Sequence, residues 1–314
     1  MNIKIIILGS NGFLGKNLKN LFKNENDSKN IKLIFVNKKE LDVSNKLILD
    51  SFFNENKPDI VINCCGVVGS SEMNKNNDQL HIFNENTILN INILDCCKVH
   101  NVKKIIMFST YRIINNKCNV ESYDESNFHQ YFHFNEQYNN IGYLLSKHVL
   151  DMQIKILQKD SKIIVTSLIL PNIFGINDNF CNDGKIIPSL LFKFKDAIIK
   201  NTNIYIKCNE NNKVNLIYID DLVNIIKECC INKNINGNMI VFNLNGTMAI
   251  KDLTDIIKSI TNFKNKIIFE NSLDNIDSKM IIPNINKFNS FFPKFVFTEI
   301  HYSLSQTINY YFSL

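Results

Sequence analysis

The sequence predicts an α/β fold: a Rossmann-like, doubly wound parallel sheet with a smaller, interleaved C-terminal α+β substrate lobe. Short apolar runs of strand length alternate with stretches of helical periodicity from residue 3 to about residue 170, the rhythm of parallel βαβ units. The first run, Ile3–Leu8, ends directly in a glycine-rich turn at Gly9, as nucleotide-binding sheets of this class do. Beyond Pro171 the rhythm loosens, yet no internal repeat or flexible linker separates the two parts. A length of 314 residues fits one large or two closely packed domains, with a core that needs no disulfide or metal staple. The expected division gives residues 1–170 and 213–249 to a dinucleotide-binding domain. Residues 171–212 and 250–314 then form the substrate lobe.

Taken in order, Ile3–Leu8 is a continuous apolar run, the pattern of a buried parallel strand. Residues 12–22 place Leu14, Leu18 and Leu21 at helical spacing. A second strand is expected at 32–36, a helix at 47–53 and a third strand at 59–63, followed by Cys64-Cys65-Gly66. A helix over 89–100 leads to a fourth strand at 104–109. After a long polar connection come a helix over 143–159 and a strand at 163–169. In the looser half, helices are expected over 186–199, 222–230, 250–259 and 302–312, with strands at 215–219 and 239–244.

Composition excludes several classes of function. Apolar residues make up 45% and charged residues 21%, so the chain is not disordered or collagen-like. The net charge of +5 comes with no dense Lys/Arg stripe, so no nucleic-acid partner is expected. No run of 18 apolar residues occurs, which argues against a membrane span. A strand beginning at residue 3 leaves no room for a signal peptide. Six of the nine cysteines form the adjacent pairs Cys64–Cys65, Cys96–Cys97 and Cys229–Cys230, and no CxxC is present. A reducing, cytoplasmic compartment and no metal site are the expectation.

Gly9-Ser10-Asn11-Gly12-Phe13-Leu14-Gly15 is a G-x-x-G-x-x-G loop between a strand and a helix. Its glycines permit a tight turn and a close backbone approach to a pyrophosphate, and the helix N-terminus adds N–H groups and a positive dipole end. The residue after the second strand chooses the cofactor. An acid there holds the ribose 2′-hydroxyl of NAD, whereas a 2′-phosphate calls for a cation. The strand ends Val36-Asn37-Lys38-Lys39, which favours NADPH.

Tyr143-Leu144-Leu145-Ser146-Lys147 is Y-x-x-x-K, and the i, i+4 spacing puts both side chains on one helix face. An ammonium close to a phenol lowers its pKa and makes it a usable proton donor and acceptor. Ser109, at the end of the fourth strand, is placed to share the substrate oxygen with Tyr143.

The glycine loop with Ser109, Tyr143 and Lys147 resembles the extended short-chain dehydrogenases/reductases. Within them the chain is most similar to the GDP-L-fucose synthase family. That closer likeness is carried by Cys65-Gly66-Val67-Val68-Gly69, Phe108-Ser109-Thr110, Tyr138-Asn139-Asn140-Ile141-Gly142-Tyr143, Pro171-Asn172-Ile173-Phe174-Gly175, Asp178-Asn179-Phe180, Asp183-Gly184-Lys185-Ile186-Ile187-Pro188 and Pro293-Lys294-Phe295-Val296-Phe297. The resemblance implies NADPH as cofactor, a nucleotide-diphosphate 4-keto-6-deoxy sugar as substrate and a homodimer. It implies that Tyr143 protonates the C4 oxygen, Lys147 holds the nicotinamide ribose and Ser109 orients the ketone. Asn172 would lie near the nicotinamide and sugar, and Lys193 and Lys279 would contact the nucleotide sugar. Cofactor contacts are expected from Gly9, Asn11, Gly12, Phe13, Leu14, Gly15, Asn37, Lys38, Cys65 and Gly66.

Three positions depart from that family. Its epimerase step uses a Cys base and a His acid, and here those places hold Tyr111 and Lys185. Unperturbed Tyr and Lys titrate near pH ~10, against ~8.5 for Cys and ~6.5 for His. The expectation is therefore a 4-reductase with weak or absent 3,5-epimerase activity. A desolvated Lys185 acting as acid keeps the bifunctional alternative open. The third departure is Lys213-Val214-Asn215, where the family tends to carry an Arg that holds the nucleotide. Among competing readings, a 4,6-dehydratase would carry Asp-Glu after the Ser/Thr, where this chain has Tyr111-Arg112. A 4-epimerase recycling NAD would favour an acid near Asn37. A non-catalytic NADPH-binding module would usually lose the Tyr or the Lys.

Overall fold

Eleven strands organise the described part of the chain: β1 (Ile3–Leu8), β2 (Ile31–Val36), β3 (Ile60–Asn63), β4 (Lys104–Thr110), β5 (Ile164–Leu170), β6 (Asn172–Phe174), β7 (Ile204–Ile206), β8 (Lys213–Tyr218), β9 (Gly237–Ile240), β10 (Thr247–Ala249) and β11 (Ile267–Phe269). The structure, a computed structural model, describes residues 3–23, 31–68, 78–114, 122–127, 130, 132, 140–270 and 280–314. Lys279, Tyr138, Gly69 and Cys118, named above or counted among the cysteines, lie outside them.

The central sheet has six strands in the order β2-β1-β3-β4-β5-β9, and every pairing in it is parallel. The expected Rossmann-like fold is therefore present. The chain leaves β1 toward β2 on one side and returns to build β3, β4 and β5 on the other. A topological switch point thus opens at the carboxyl ends of β1 and β3, where ligands of such sheets bind. Alternation along β1 explains its position at the centre. Ile5 and Ile7 enter the core on one face, and Ile6 and Leu8 enter the core on the other, as the two-residue period of a strand requires.

Helices Lys46–Asn56, Gln79–Val99 and Ile141–Asp160 contribute Leu49, Phe53, Ile93, Leu150 and Ile154 to one face. Helices Phe13–Lys23, Ile219–Ile231 and Ile300–Phe312 contribute Leu18, Leu222, Ile226 and Leu304 to the other. The helix before β4 begins ten residues earlier than its apolar spacing indicates. Its polar first turns are held by tertiary contact, because Gln79 Oε1 accepts from the Gly142 N–H at 2.9 Å.

Two small sheets complete the fold, β10-β8-β6 and β11-β7. The segment at 213–218, assigned above to the dinucleotide-binding domain, runs in the first of these and not in the six-stranded sheet. β8 pairs parallel with β6 and antiparallel with β10, so only β9 returns from that stretch to the main sheet. Strands of three residues carry no readable period, which is why β6, β7, β10 and β11 are not legible from the sequence. No helix of the described residues is long and apolar enough to cross a membrane.

Candidate active site

The glycine loop follows β1 and turns immediately into helix Phe13–Lys23. Gly9 has φ +78°, a left-handed conformation that a side chain would strain. Added Cβ atoms would clash at both ends of the loop: at Gly9 one would sit 2.8 Å from the Cys64 carbonyl carbon, and at Gly15 one would sit 2.6 Å from the Ser10 Cα. The loop is tied to the sheet edge by the Ser10 N–H, which donates to the Val36 carbonyl at 2.9 Å. The result is a bare backbone cradle at a helix N-terminus, the shape and polarity that a dinucleotide pyrophosphate fits.

Two cavities open from this cradle. One is lined by Gly9, Asn11, Gly12, Asn37, Lys38, Cys65 and Gly66. Asp42 and Glu85 also line it, both outside the Asn37-Lys38-Lys39 turn that directly follows β2. The Asp42 carboxylate accepts from the Ser44 N–H at 3.0 Å and the Ser44 Oγ at 2.7 Å. Those bonds hold its pKa below the ordinary carboxylate value, helped by the Lys38 charge. Asp42 stands six residues past the strand and is not legible as a site residue because the turn that returns it to the cavity is a tertiary feature.

The other cavity is lined by Leu14, Cys65, Gly66, Ser109, Tyr143, Lys147, Asn172 and Lys185. The loop 64–68 forms a wall of both, and buried Asn86 clamps it by accepting from the Val67 N–H and donating to the Val67 carbonyl, each at 2.8 Å. Phe13 lies below Lys185, whose ammonium is 5.2 Å from the ring centroid. Ser109 arrives at the carboxyl end of β4, buried, with an Oγ that has no hydrogen-bond partner among the described residues. A buried hydroxyl facing a cavity without a protein partner is suited to bond a ligand oxygen.

Tyr143 and Lys147 face this cavity from helix Ile141–Asp160. Gly142 lets that helix approach Gln79 so closely that any Cβ there would meet its backbone, at 2.8 Å from the carbonyl carbon. The Lys147 ammonium donates to the Phe108 carbonyl at 2.9 Å and lies 5.6 Å from the Tyr143 ring centroid. Burial lowers its pKa to about 8. Burial also pushes the Tyr143 phenol up to about 12, and the cation that opposes this is Arg112. The Lys147 charge thus stays next to the phenol while the Phe108 carbonyl fixes where its ammonium lies.

Tyr111 is not itself among the residues lining the cavity but is bonded to one that is. It lies behind Asn172, whose amide donates to the Tyr111 Oη at 3.4 Å and to the Asn215 carbonyl at 3.1 Å. Asn215 is itself fully buried and donates to the Asn243 carbonyl and the Thr247 Oγ1 at 2.5 and 2.6 Å. Lys193 lines a neighbouring cavity with Ser189, Tyr205, Lys207 and Cys208, and its ammonium donates to the Tyr205 carbonyl at 3.3 Å. Arg112, Asn63, Thr110 and Asn140 also line the catalytic cavity. Arg112 was legible only as a residue that disfavours a dehydratase.

A doubly wound sheet whose glycine cradle leads to Ser, Tyr and Lys side chains in one cavity defines a protein of the short-chain dehydrogenase/reductase class. The chain belongs to the NAD dependent epimerase/dehydratase family, whose model matches residues 5–243. It is 26% identical over 309 residues to a GDP-L-fucose synthase of Dictyostelium discoideum, covering 98% of this chain and 94% of that one. The crystal structure of a GDP-L-fucose synthetase from Naegleria fowleri bound to NADP superposes with a TM-score of 0.86 at 22% identity, covering 99% and 93% of the two chains. A GDP-mannoheptose C4 reductase from Campylobacter jejuni with NADP bound superposes with a TM-score of 0.80 at 18% identity, covering 99% and 98%.

Proposed function

We propose that this protein is an NADPH-dependent oxidoreductase acting on a nucleotide-linked 4-keto-6-deoxy sugar, a GDP-L-fucose-synthase-like 4-reductase. The observation that carries this reading is the buried, unpartnered Ser109 hydroxyl in the same cavity as Tyr143 and Lys147. NADPH supplies the hydride. Gly9, Asn11, Gly12, Leu14, Cys65 and Gly66 hold the cofactor, with Asn37 and Lys38 at its adenosine end. Ser109 donates a hydrogen bond to the ketone oxygen, and Tyr143 gives that oxygen its proton. Lys147 holds the nicotinamide ribose. The lobe of residues 171–212 and 250–314 receives the nucleotide sugar, and Lys193 in its adjoining cavity favours the nucleotide end. The exposed Ile88, Ile91 and Ile156 on helices Gln79–Val99 and Ile141–Asp160 support a homodimer joined along that helix pair.

Lys38 in the adenosine cavity supports NADPH over NADH. The dissociation constant for NADPH is expected to be at least tenfold lower than for NADH, and Lys38→Ala should erase most of that preference. Equal binding of the two cofactors by the unmodified protein would mean that Lys38 does not read a 2′-phosphate.

The cavity that holds Ser109, Tyr143 and Lys147 supports weak or absent 3,5-epimerisation. Carbon acids beside a ketone need a close base with a pKa near the working pH. Burial raises the thiol pKa values of Cys64 and Cys65, the latter to about 12, and Tyr111 stands behind Asn172. Lys185 lines this cavity, which keeps a bifunctional epimerase/reductase as the second reading. Turnover in D₂O separates the two. A reductase leaves C3 and C5 of the sugar unlabelled, and deuterium at both carbons would establish the epimerase.

A further inference from the structure

Asparagine side chains are mostly exposed, yet helix Phe13–Lys23 buries one, Asn17, at 5% exposure. Its amide is engaged across two elements. The Asn17 Nδ2 donates to the Phe13 carbonyl one turn back at 2.8 Å and to the Ile176 carbonyl at 3.0 Å. The Asn17 Oδ1 accepts from the Asn177 Nδ2 at 3.2 Å. Asn177 has a left-handed backbone, φ +65°, and its Oδ1 accepts from the Tyr310 Oη of helix Ile300–Phe312 at 3.2 Å. Phe13 lies four residues before Asn17 and so on the same helix face, and the Lys185 ammonium stands 5.2 Å from its ring centroid. One face of the helix that begins in the glycine cradle therefore touches both ends of the segment 176–185. That segment walls two cavities. Lys185 lines the catalytic one, and Asn182 and Gly184 line the neighbouring one with Lys193.

We propose that Asn17 is a positioning residue that couples cofactor binding to sugar-nucleotide binding. A pyrophosphate held by the N–H groups of the glycine loop immobilises the first turn of helix Phe13–Lys23. Asn17 follows one turn later, and its bonds to Ile176 and Asn177 pass that immobilisation to the segment 176–185. A second ligand that needs the same segment fixed then meets a smaller ordering cost, which is positive cooperativity without contact between the ligands. Linkage makes the effect reciprocal, so each ligand tightens the other by the same factor. That the second ligand is a nucleotide sugar rests on the reading above. The segment is braced on its far side by helix Ile300–Phe312, where Phe180 stacks on the Tyr311 ring at 4.2 Å beside the Tyr310 bond to Asn177. It therefore responds to the cradle helix as one piece, from Ile176 to Lys185.

Two measurements on the intact protein test this. The first uses NADPH alone and needs no substrate. Amide hydrogen exchange of residues 176–185 should slow several-fold when NADPH is added to the unmodified protein. The protection should vanish in Asn17→Ala and in Asn177→Gly, which keeps the left-handed backbone and removes only the amide. Residues 9–15 should stay protected in both variants. Protection of 176–185 that persists in the variants would mean that the cofactor orders the segment by direct contact, and it would overturn the proposal. So would the absence of protection in the unmodified protein. The second measurement adds GDP-mannose, a nucleotide sugar with no ketone to reduce. At saturation it should lower the NADPH dissociation constant of the unmodified protein about tenfold, within the usual range of coupling between sites. Each variant should bind NADPH alone as the unmodified protein does and lose that tightening. The double variant should lose no more than either single one, because the two side chains form one link. Undiminished tightening in the variants, or none in an unmodified protein that binds GDP-mannose, would overturn the coupling. If GDP-mannose does not bind at all, the nucleotide-sugar reading fails by itself and the exchange measurement still decides Asn17. If Asn17→Ala does not fold, Asn177→Gly carries both comparisons.

Discussion

Tyr143→Phe is expected to lower the rate of ketone reduction by roughly 10²-fold or more, the scale of losing a positioned general acid, while leaving NADPH binding almost unchanged. The side chain is enclosed, and its phenol titrates near 12, so at neutral pH it is a proton donor in nearly every molecule. Phenylalanine keeps the ring and its packing. The change therefore removes the proton and little else. Ser109 can still polarise the ketone, because its hydroxyl has no competing protein partner, and this leaves a residual rate. Steady-state reduction and cofactor fluorescence on the same preparation check both halves. A variant with near-wild-type turnover would mean that another group protonates the oxygen, with Lys185 the first to test.

Gly15→Ala should be nearly as damaging, through binding and not through chemistry. The new Cβ would lie 2.6 Å from the Ser10 Cα and closer still to the Gly9 carbonyl. Both are backbone atoms of the cradle, so no flexible side chain can move aside. Forcing a methyl group into such a contact costs about 1–3 kcal/mol. Relief requires moving the loop away from helix Phe13–Lys23, which disperses the N–H groups aimed at the pyrophosphate. The NADPH dissociation constant should rise roughly 10–10²-fold, and the cofactor-free protein should unfold at a lower temperature. Wild-type affinity in this variant would show that the loop reshapes without loss and that its close approach is not what holds the cofactor.

Much of this molecule is legible before any coordinate. Periodicity locates β1 to β5 because buried parallel strands are unbroken apolar runs. The helices between them declare themselves by apolar spacing at three and four residues. Gly9, Gly12 and Gly15 are readable because a tight turn at a helix N-terminus restricts residue type. Tyr143 and Lys147 are readable because four residues return to the same helix face. The short strands β6, β7, β10 and β11 are not, since three residues fit any period.

What the sequence by itself determined is the local chemistry: which segments become strands and helices, where a phosphate cradle forms, and which side chains can carry a proton. What only the tertiary structure decided is how those groups meet. It joined Tyr111 to Asn172, grouped β8 with β6 and β10, placed Asp42 in the cavity beside the glycine loop and brought Arg112 into one cavity with Tyr143. It also directed the Lys147 ammonium to the Phe108 carbonyl. The reason is physical: backbone periodicity is set by neighbours within a few residues, whereas electrostatics and burial depend on distances between segments far apart in the chain.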